Sequence, residues 1–288
     1  MRTDENSVNS KLKKMISVLG MKLRFLLNHY GIYINKTSKT EDVIRAIGML
    51  RPRKISESLV KIGGKGDGVY MIPENLDGVV KCLSPGVGDT NGFELDLYDR
   101  YKICSDLIDF SVQGLPVPHH ALSFEKKYLG MKSEGCYIGI NDWVEIENPG
   151  TQDDLILQMD IEGAEYEVIT GMSERVAERF RVIAMEFHDL ELLCDRYGIK
   201  LLKATFEKLN LTHTPVYLKA NNETPAYEFN GVVIPKNIEV TFMRKKRLPK
   251  RLPCWTYEDY ISQSEELNSL NEKRVLLSEH WFSDKTTP

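Results

Sequence analysis

The sequence predicts an α/β fold, doubly wound around a mostly parallel sheet. Three observations carry that prediction. Short apolar runs recur from residue 79 onward, separated by segments of helical periodicity, and strands joined by helices pair in parallel. The last two runs follow one another with no helix between them, so an antiparallel hairpin is expected to close one edge. Of the 288 residues, 42% are hydrophobic and 28% charged, the balance of a globular chain with a sizeable core.

In chain order, Leu12, Ile16, Leu19, Leu23, Leu26 and Tyr30 recur at spacings of four and three, one stripe of a helix that Gly31 would stop. Lys11, Lys13, Lys14, Lys22 and Arg24 lie off that stripe. Ser38 and Glu41 have the spacing of a capping box ahead of a short helix over 42–50, ended by Arg51-Pro52. A glycine-rich stretch over 63–68 leads into the body. Strands are predicted at 79–83, 103–110, 155–159, 182–187 and 215–219, with a long one within 231–243. Helices are predicted at 92–101, 164–179 and 190–209, and from 257 to near Trp281. The domain reading is a helical extension over 1–52, a catalytic domain over 53–245 and a second helical extension over 246–288.

Charge is distributed unevenly. Residues 7–40 hold seven Lys and Arg and no Asp or Glu, whereas from Glu41 onward 30 basic residues stand against 40 acidic ones. A nucleic-acid-binding body is usually basic, so nucleic acid is not an expected partner. The cationic arm could lie on the inner face of a membrane, pair with the same helix of a second subunit, or cover its own domain. Five scattered cysteines without a CxxC, no signal peptide and no long uncharged apolar run fit a cytoplasmic protein.

Ligands of open α/β sheets bind beyond the carboxyl ends of the strands, where strand order reverses. The predicted strand ends are rich in chemistry: Gly86-Val87-Gly88, Asp109, Asp160-Ile161-Glu162-Gly163 and Glu186-Phe187-His188. Glycines at 86 and 88 let the backbone approach a ligand closely. An acid in the position of Asp109 can accept from both hydroxyls of a ribose. A pyrophosphate-binding Gly-x-Gly-x-x-Gly would need glycine at 91, which is Asn91, so a cofactor without phosphates is favoured. S-adenosylmethionine is the common one.

The segment Asp160-Ile161-Glu162-Gly163-Ala164-Glu165, followed by Glu186-Phe187-His188, resembles the FkbM-type branch of class I S-adenosylmethionine-dependent methyltransferases. Further matching pieces are Lys61-Ile62-Gly63 with Asp67-Gly68, Gly86-Val87-Gly88 with Phe93-Glu94, Asn221-Asn222, and Pro235 with Glu239-Val240-Thr241. The resemblance implies a seven-stranded, Rossmann-like methyltransferase sheet. It also implies that Gly86, Gly88 and Asp109 hold the cofactor, with Glu94 and Asp67 as further cofactor-site candidates. Relatives of this type commonly methylate hydroxyls of sugars or natural products, so a bacterial cell-surface glycan or related acceptor is expected.

Methyl transfer to a hydroxyl requires in-line alignment and removal of a proton. His188 is the best base candidate because imidazole titrates near neutral pH. Asp160 could orient it or act as the base itself, and Glu162 stands beside it. Glu162 and Glu165 are expected in a first helical turn, where carboxylates are favoured anyway. Glu186, Asn222 and His120 are candidates for the acceptor side. Asp160, Glu162, Glu186 and His188 could alternatively hold a divalent cation. Two other classes compete with the methyltransferase reading: a nicotinamide-dependent oxidoreductase, opposed by Asn91, and a catalytically idle scaffold, opposed by the full set of strand-end residues.

Overall fold

The computed structural model describes residues 2–64, 68–148, 150, 153–267 and 275–283. The chain divides into two units, Met1–Thr37 and Ser38–Pro288. The first is built on α1 (Arg2–His29), after which Gly31 takes a positive φ, as the predicted helix and its stop require. Among the described residues no helix is long and apolar enough to cross a membrane.

The second unit opens differently from expectation. Ser38 does not cap: its hydroxyl donates to the Asp195 carbonyl at 2.9 Å, and α2 (Thr40–Ile47) begins after Lys39 with no side-chain cap. A single turn of 3-10 helix, Gly48–Leu50, extends it to the predicted end. Strands β1 (Leu59–Ile62) and β2 (Tyr70–Pro73) then pair antiparallel on either side of the glycine-rich stretch.

The body follows in the order β3 (Val79–Pro85), α3 (Gly92–Tyr101), β4 (Cys104–Ile108), β5 (Leu122–Glu125), β6 (Tyr128–Gly130), β7 (Tyr137–Gly139), α4 (Ile140–Glu147) and β8 (Asp154–Met159). It continues through α5 (Glu165–Gly171), α6 (Glu174–Ala177), β9 (Phe180–Phe187), α7 (Gly198–Thr212), β10 (His213–Ala220), β11 (Ala226–Phe229), β12 (Val232–Pro235), β13 (Ile238–Arg244) and α8 (Tyr257–Leu267). The central sheet has seven strands in the order β10-β13-β9-β8-β3-β4-β5. Strands β9, β8, β3, β4 and β5 run parallel, and β13 is antiparallel to both of its neighbours. This is the mostly parallel, seven-stranded sheet expected above. Strand order reverses between β3 and β8, so a crevice opens at their carboxyl ends.

Strands β8 and β9 are buried along their whole length, which their unbroken apolar runs require of strands covered on both faces. One face packs on α2, α5 and α7, with Trp143, Phe187 and Phe206 in the core. The other packs on the β1–β2 hairpin and α3, around Ile62, Tyr70, Phe93 and Leu97.

Several predicted elements change. The helix over 164–179 is two helices, because Ser173 turns the chain and its Oγ accepts from the Val176 N–H to start α6. The helix over 190–209 breaks at Asp195, whose carboxylate accepts from the Tyr197 and Gly198 N–H groups at 2.7 and 2.8 Å and so starts α7 anew. The strand within 231–243 is split between β12 and β13 around Lys236 and Asn237. Strands β10 and β13 form the expected antiparallel pair at one edge, with β13 lying between β10 and β9 and the small β11–β12 hairpin occupying the connection. The C-terminal helix is described only to Leu267, and a separate 3-10 turn, Glu279–Trp281, holds Trp281.

Candidate active site at the carboxyl ends of the strands

A cavity of about 770 Å³ opens at the switch point between β3 and β8. That volume lies within the range of small-molecule and cofactor sites. Gly86, Gly88, Glu94, Asp109, Asp160 and Glu162 all line it, so most of the residues singled out in the sequence converge there.

The floor is the turn after β3. Gly86 has φ +88°, and a Cβ on it would sit 1.6 Å from the Asp160 carbonyl oxygen, so no other residue lets β3 and β8 end this close together. Gly88 also has a positive φ, and a Cβ there would meet nothing within 4 Å. Its backbone is therefore open on that side.

Asp109 fastens this turn. Its Oδ2 accepts from Val87 N–H at 2.9 Å and Gly88 N–H at 3.1 Å, and its Oδ1 accepts from the Ser111 N–H and hydroxyl, both at 2.7 Å. Burial pushes its carboxyl up, but these four donors outweigh burial and hold it below the usual carboxylate range. A carboxylate offers about four acceptor sites. These four donors fill that capacity, so a ligand hydroxyl would have to take the place of one of them. Asn91, where a third glycine was tested for, is engaged elsewhere: its side-chain amide donates to the Val117 carbonyl and accepts from the Val117 N–H.

Beneath the cavity, the Ser84 hydroxyl touches both Gln158 Oε1, at 2.5 Å, and the Glu94 carboxyl. One hydroxyl proton serves one acceptor. Burial pushes Glu94 up from its ordinary value, so the carboxylic acid form can supply the second proton.

The acidic side of the cavity is built on the turn after β8. Glu162 (φ +55°) and Gly163 (φ +101°) form a tight bend, so Glu162 precedes the helix rather than lying in its first turn, and its side chain is 88% exposed. Asp160 caps no helix, since α5 starts at Glu165 without a side-chain cap. Glu165 is fully buried and ties the bend together. Its Oε1 accepts from Ile161 N–H at 3.0 Å, from Gly163 N–H at 3.3 Å and from His188 Nδ1 at 3.0 Å. On the other side of the ring, His188 Nε2 lies 3.6 Å from Asp160 and 3.4 Å from Glu162. Burial alone would lower His188, but Glu165, Asp160 and Glu186 outweigh it and raise the imidazole from 6.5 to about 9. His188 is therefore an imidazolium at neutral pH, and it is not among the cavity-lining residues. Asp160 faces the cavity and His188 stands behind it.

The remaining candidates fall elsewhere. Glu186 is buried and accepts from the Asn221 side chain at 2.9 Å. Asn222 accepts from Val275 N–H at 3.0 Å, and His120 meets the Tyr98 hydroxyl at 3.0 Å on the outside of α3, so neither lines the cavity. Asp67 lies outside the described residues. For a cation, the compact group is Asp160, Glu165 and His188, with one ligand atom from each within 4.8 Å of the others; it includes neither Glu162 nor Glu186.

Cavity residues that escaped the sequence reading include Gln158, Ser111, Lys127, Tyr128 and Tyr137. The tyrosines come from the short parallel pair β6–β7, which places their rings 5.3 Å apart, with Phe110 4.9 Å from Tyr128. A signal was present in the repeated Tyr-Leu-Gly and Tyr-Ile-Gly triplets at 128–130 and 137–139.

Comparison with known proteins finds a family match within the sheet. Residues 116–197 match the methyltransferase FkbM domain. This part of the chain is similar to the FkbM methyltransferase domain. Both motifs on which the resemblance chiefly rests, 160–165 and 186–188, fall inside the FkbM match. No curated protein sequence matches the chain. Among solved structures, a chain of a fibrillarin/Nop5p complex aligns at 12% identity and TM-score 0.36, covering 59% of this chain and 74% of its own. A putative SAM-dependent methyltransferase from Streptococcus mutans aligns at 10% identity and TM-score 0.34, covering 66% and 56%.

Proposed function

We propose that this protein transfers the methyl group of S-adenosylmethionine to a hydroxyl of a sugar-containing acceptor. The observation that carries the reading is that one cavity joins a glycine turn fastened by Asp109 to an acidic end formed by Asp160 and Glu162. The open backbone at Gly88, the Asp109 carboxylate and the absence of a pyrophosphate-type third glycine fit an uncharged ribose better than a dinucleotide. Gly86, Gly88 and Asp109 would hold the nucleoside. When bound, S-adenosylmethionine supplies an electrophilic methyl group on a sulfonium.

This chain's own residues then have defined tasks. Asp160 receives the acceptor hydroxyl and takes up its proton: like Glu162 it lines the cavity beside the His188 cation, but its side chain is 21% exposed where that of Glu162 is 88% exposed, so it is the carboxylate shielded from water. The His188 imidazolium, fixed by Glu165, holds Asp160 in place. Glu162 accepts from a second acceptor hydroxyl. The tyrosine faces of 128 and 137 offer a platform for the apolar face of a sugar ring, whose hydroxyls project sideways towards polar partners. The test is incubation with methyl-labelled S-adenosylmethionine and a panel of oligosaccharides and nucleotide sugars, read by mass spectrometry. A methyl ether on a sugar supports the reading. Cofactor binding with methylation only of amines or carboxylates in a parallel panel sinks it.

A further inference from the structure

We infer that α1 is a docking face for an anionic lipid bilayer. The observation is an apolar sector left open to solvent. Met15, Leu19, Leu23, Leu26 and Tyr30 are 64, 68, 55, 56 and 71% exposed. At about 100° per residue they fall within one sector roughly 80° wide, while Val18, Met21 and Phe25, also exposed, form a smaller apolar patch away from it. By position, Leu12 and Ile16 continue the same stripe. After the Gly31 turn, Ile32, Tyr33 and Ile34 are also exposed, extending the apolar surface.

The charges select the partner. Lys22 borders the sector on one side and Arg24 on the other, and by position Lys11 and Lys13 repeat that flanking arrangement. Residues 7–40 carry seven basic residues and no acidic one. A second copy of this helix could cover the stripe, but it would set two cationic flanks against each other, where paired helices normally alternate acid and base. An anionic bilayer accepts both features at once. The apolar sector enters the boundary of the acyl chains, while Lys and Arg stems run along it and reach the headgroups. Tyr30 and Tyr33 are of the residue type enriched at that depth. Docking would hold the catalytic unit close to a lipid-linked acceptor.

The test uses the whole chain and vesicles of phosphatidylcholine alone or mixed with phosphatidylglycerol, with co-sedimentation as the readout and light scattering for mass. The expected result is association with the mixed vesicles, weakened by added salt, and little association with phosphatidylcholine alone. The double variant Lys22→Gln/Arg24→Gln should bind about 25-fold more weakly, at about fivefold per cation removed. The triple variant Leu19→Ser/Leu23→Ser/Leu26→Ser should lose binding with its cations intact. These positions are exposed, so the melting of the body should be the same in all proteins. A chain that ignores mixed vesicles, that binds undiminished in both variants, or that is a dimer in solution broken by the leucine substitutions would overturn the inference.

Discussion

Glu165→Gln isolates the electrostatics of the acidic end. The substitution keeps the shape of a fully buried side chain and an oxygen for the Ile161 and Gly163 N–H groups, but removes the charge facing His188 Nδ1 at 3.0 Å. In the wild type, burial lowers His188 and the carboxylates more than reverse this, to about 9 against an ordinary 6.5. A folded value above the unfolded one means that the folded state holds the proton more tightly. The associated stability is complete below about pH 6.5 and is lost as pH rises through about 9. At 1.36 kcal/mol per pH unit it amounts to at most about 3 kcal/mol. Without the Glu165 charge, burial prevails and His188 should titrate well below 9. Urea denaturation across this pH range, with His188 followed by its ring resonances against a His188→Gln reference, measures both quantities. The wild-type advantage over Glu165→Gln should be greatest near pH 6 and shrink towards pH 9. An equal pH slope in the two proteins, or His188 titrating near 6.5 in the wild type, would refute the reasoning.

Other substitutions separate the two ends of the cavity. Asp109→Ala removes the acceptor of four turn hydrogen bonds and should weaken S-adenosylhomocysteine binding by about 1.5–3 kcal/mol, measured by calorimetry. Asp160→Asn should lower turnover by about 10²–10⁴-fold while cofactor affinity holds, the split expected of a proton acceptor. Gly86→Ala places a Cβ on the Asp160 carbonyl oxygen and should cost about 2–4 kcal/mol in thermal unfolding together with cofactor binding. His120→Ala, on the outside of α3, should leave cofactor affinity and acceptor KM unchanged.

Much of this architecture was legible because the central strands announce themselves. The fully buried runs of β8 and β9 are unbroken in apolar character, and each ends in an acid or histidine that the sheet brings to one rim. The segment between β4 and β8 was not legible. Strands β6 and β7 are three residues each, too short for periodicity, and their two tyrosine faces meet only in three dimensions. Asp195 and Ser173 broke two predicted helices through local side-chain capping, which outweighed the apolar periodicity on either side. The Ser38–Glu41 spacing was misleading because Ser38 found a distant acceptor in Asp195. Roles within the site depended on depth, which spacing does not encode. Glu165 looked like an ordinary first-turn acid and is a fully buried partner of His188, while His188, the best base candidate by residue type, lies behind Asp160.

The central claim is that the cavity between the ends of β3 and β8 holds S-adenosylmethionine, and calorimetry with S-adenosylhomocysteine tests it most directly. The expected result is saturable one-to-one binding that is sharply weakened in Asp109→Ala and unaffected in His120→Ala, with no binding of a nicotinamide dinucleotide. Absence of binding by the folded wild type, or equal affinity in the wild type and Asp109→Ala, would contradict it.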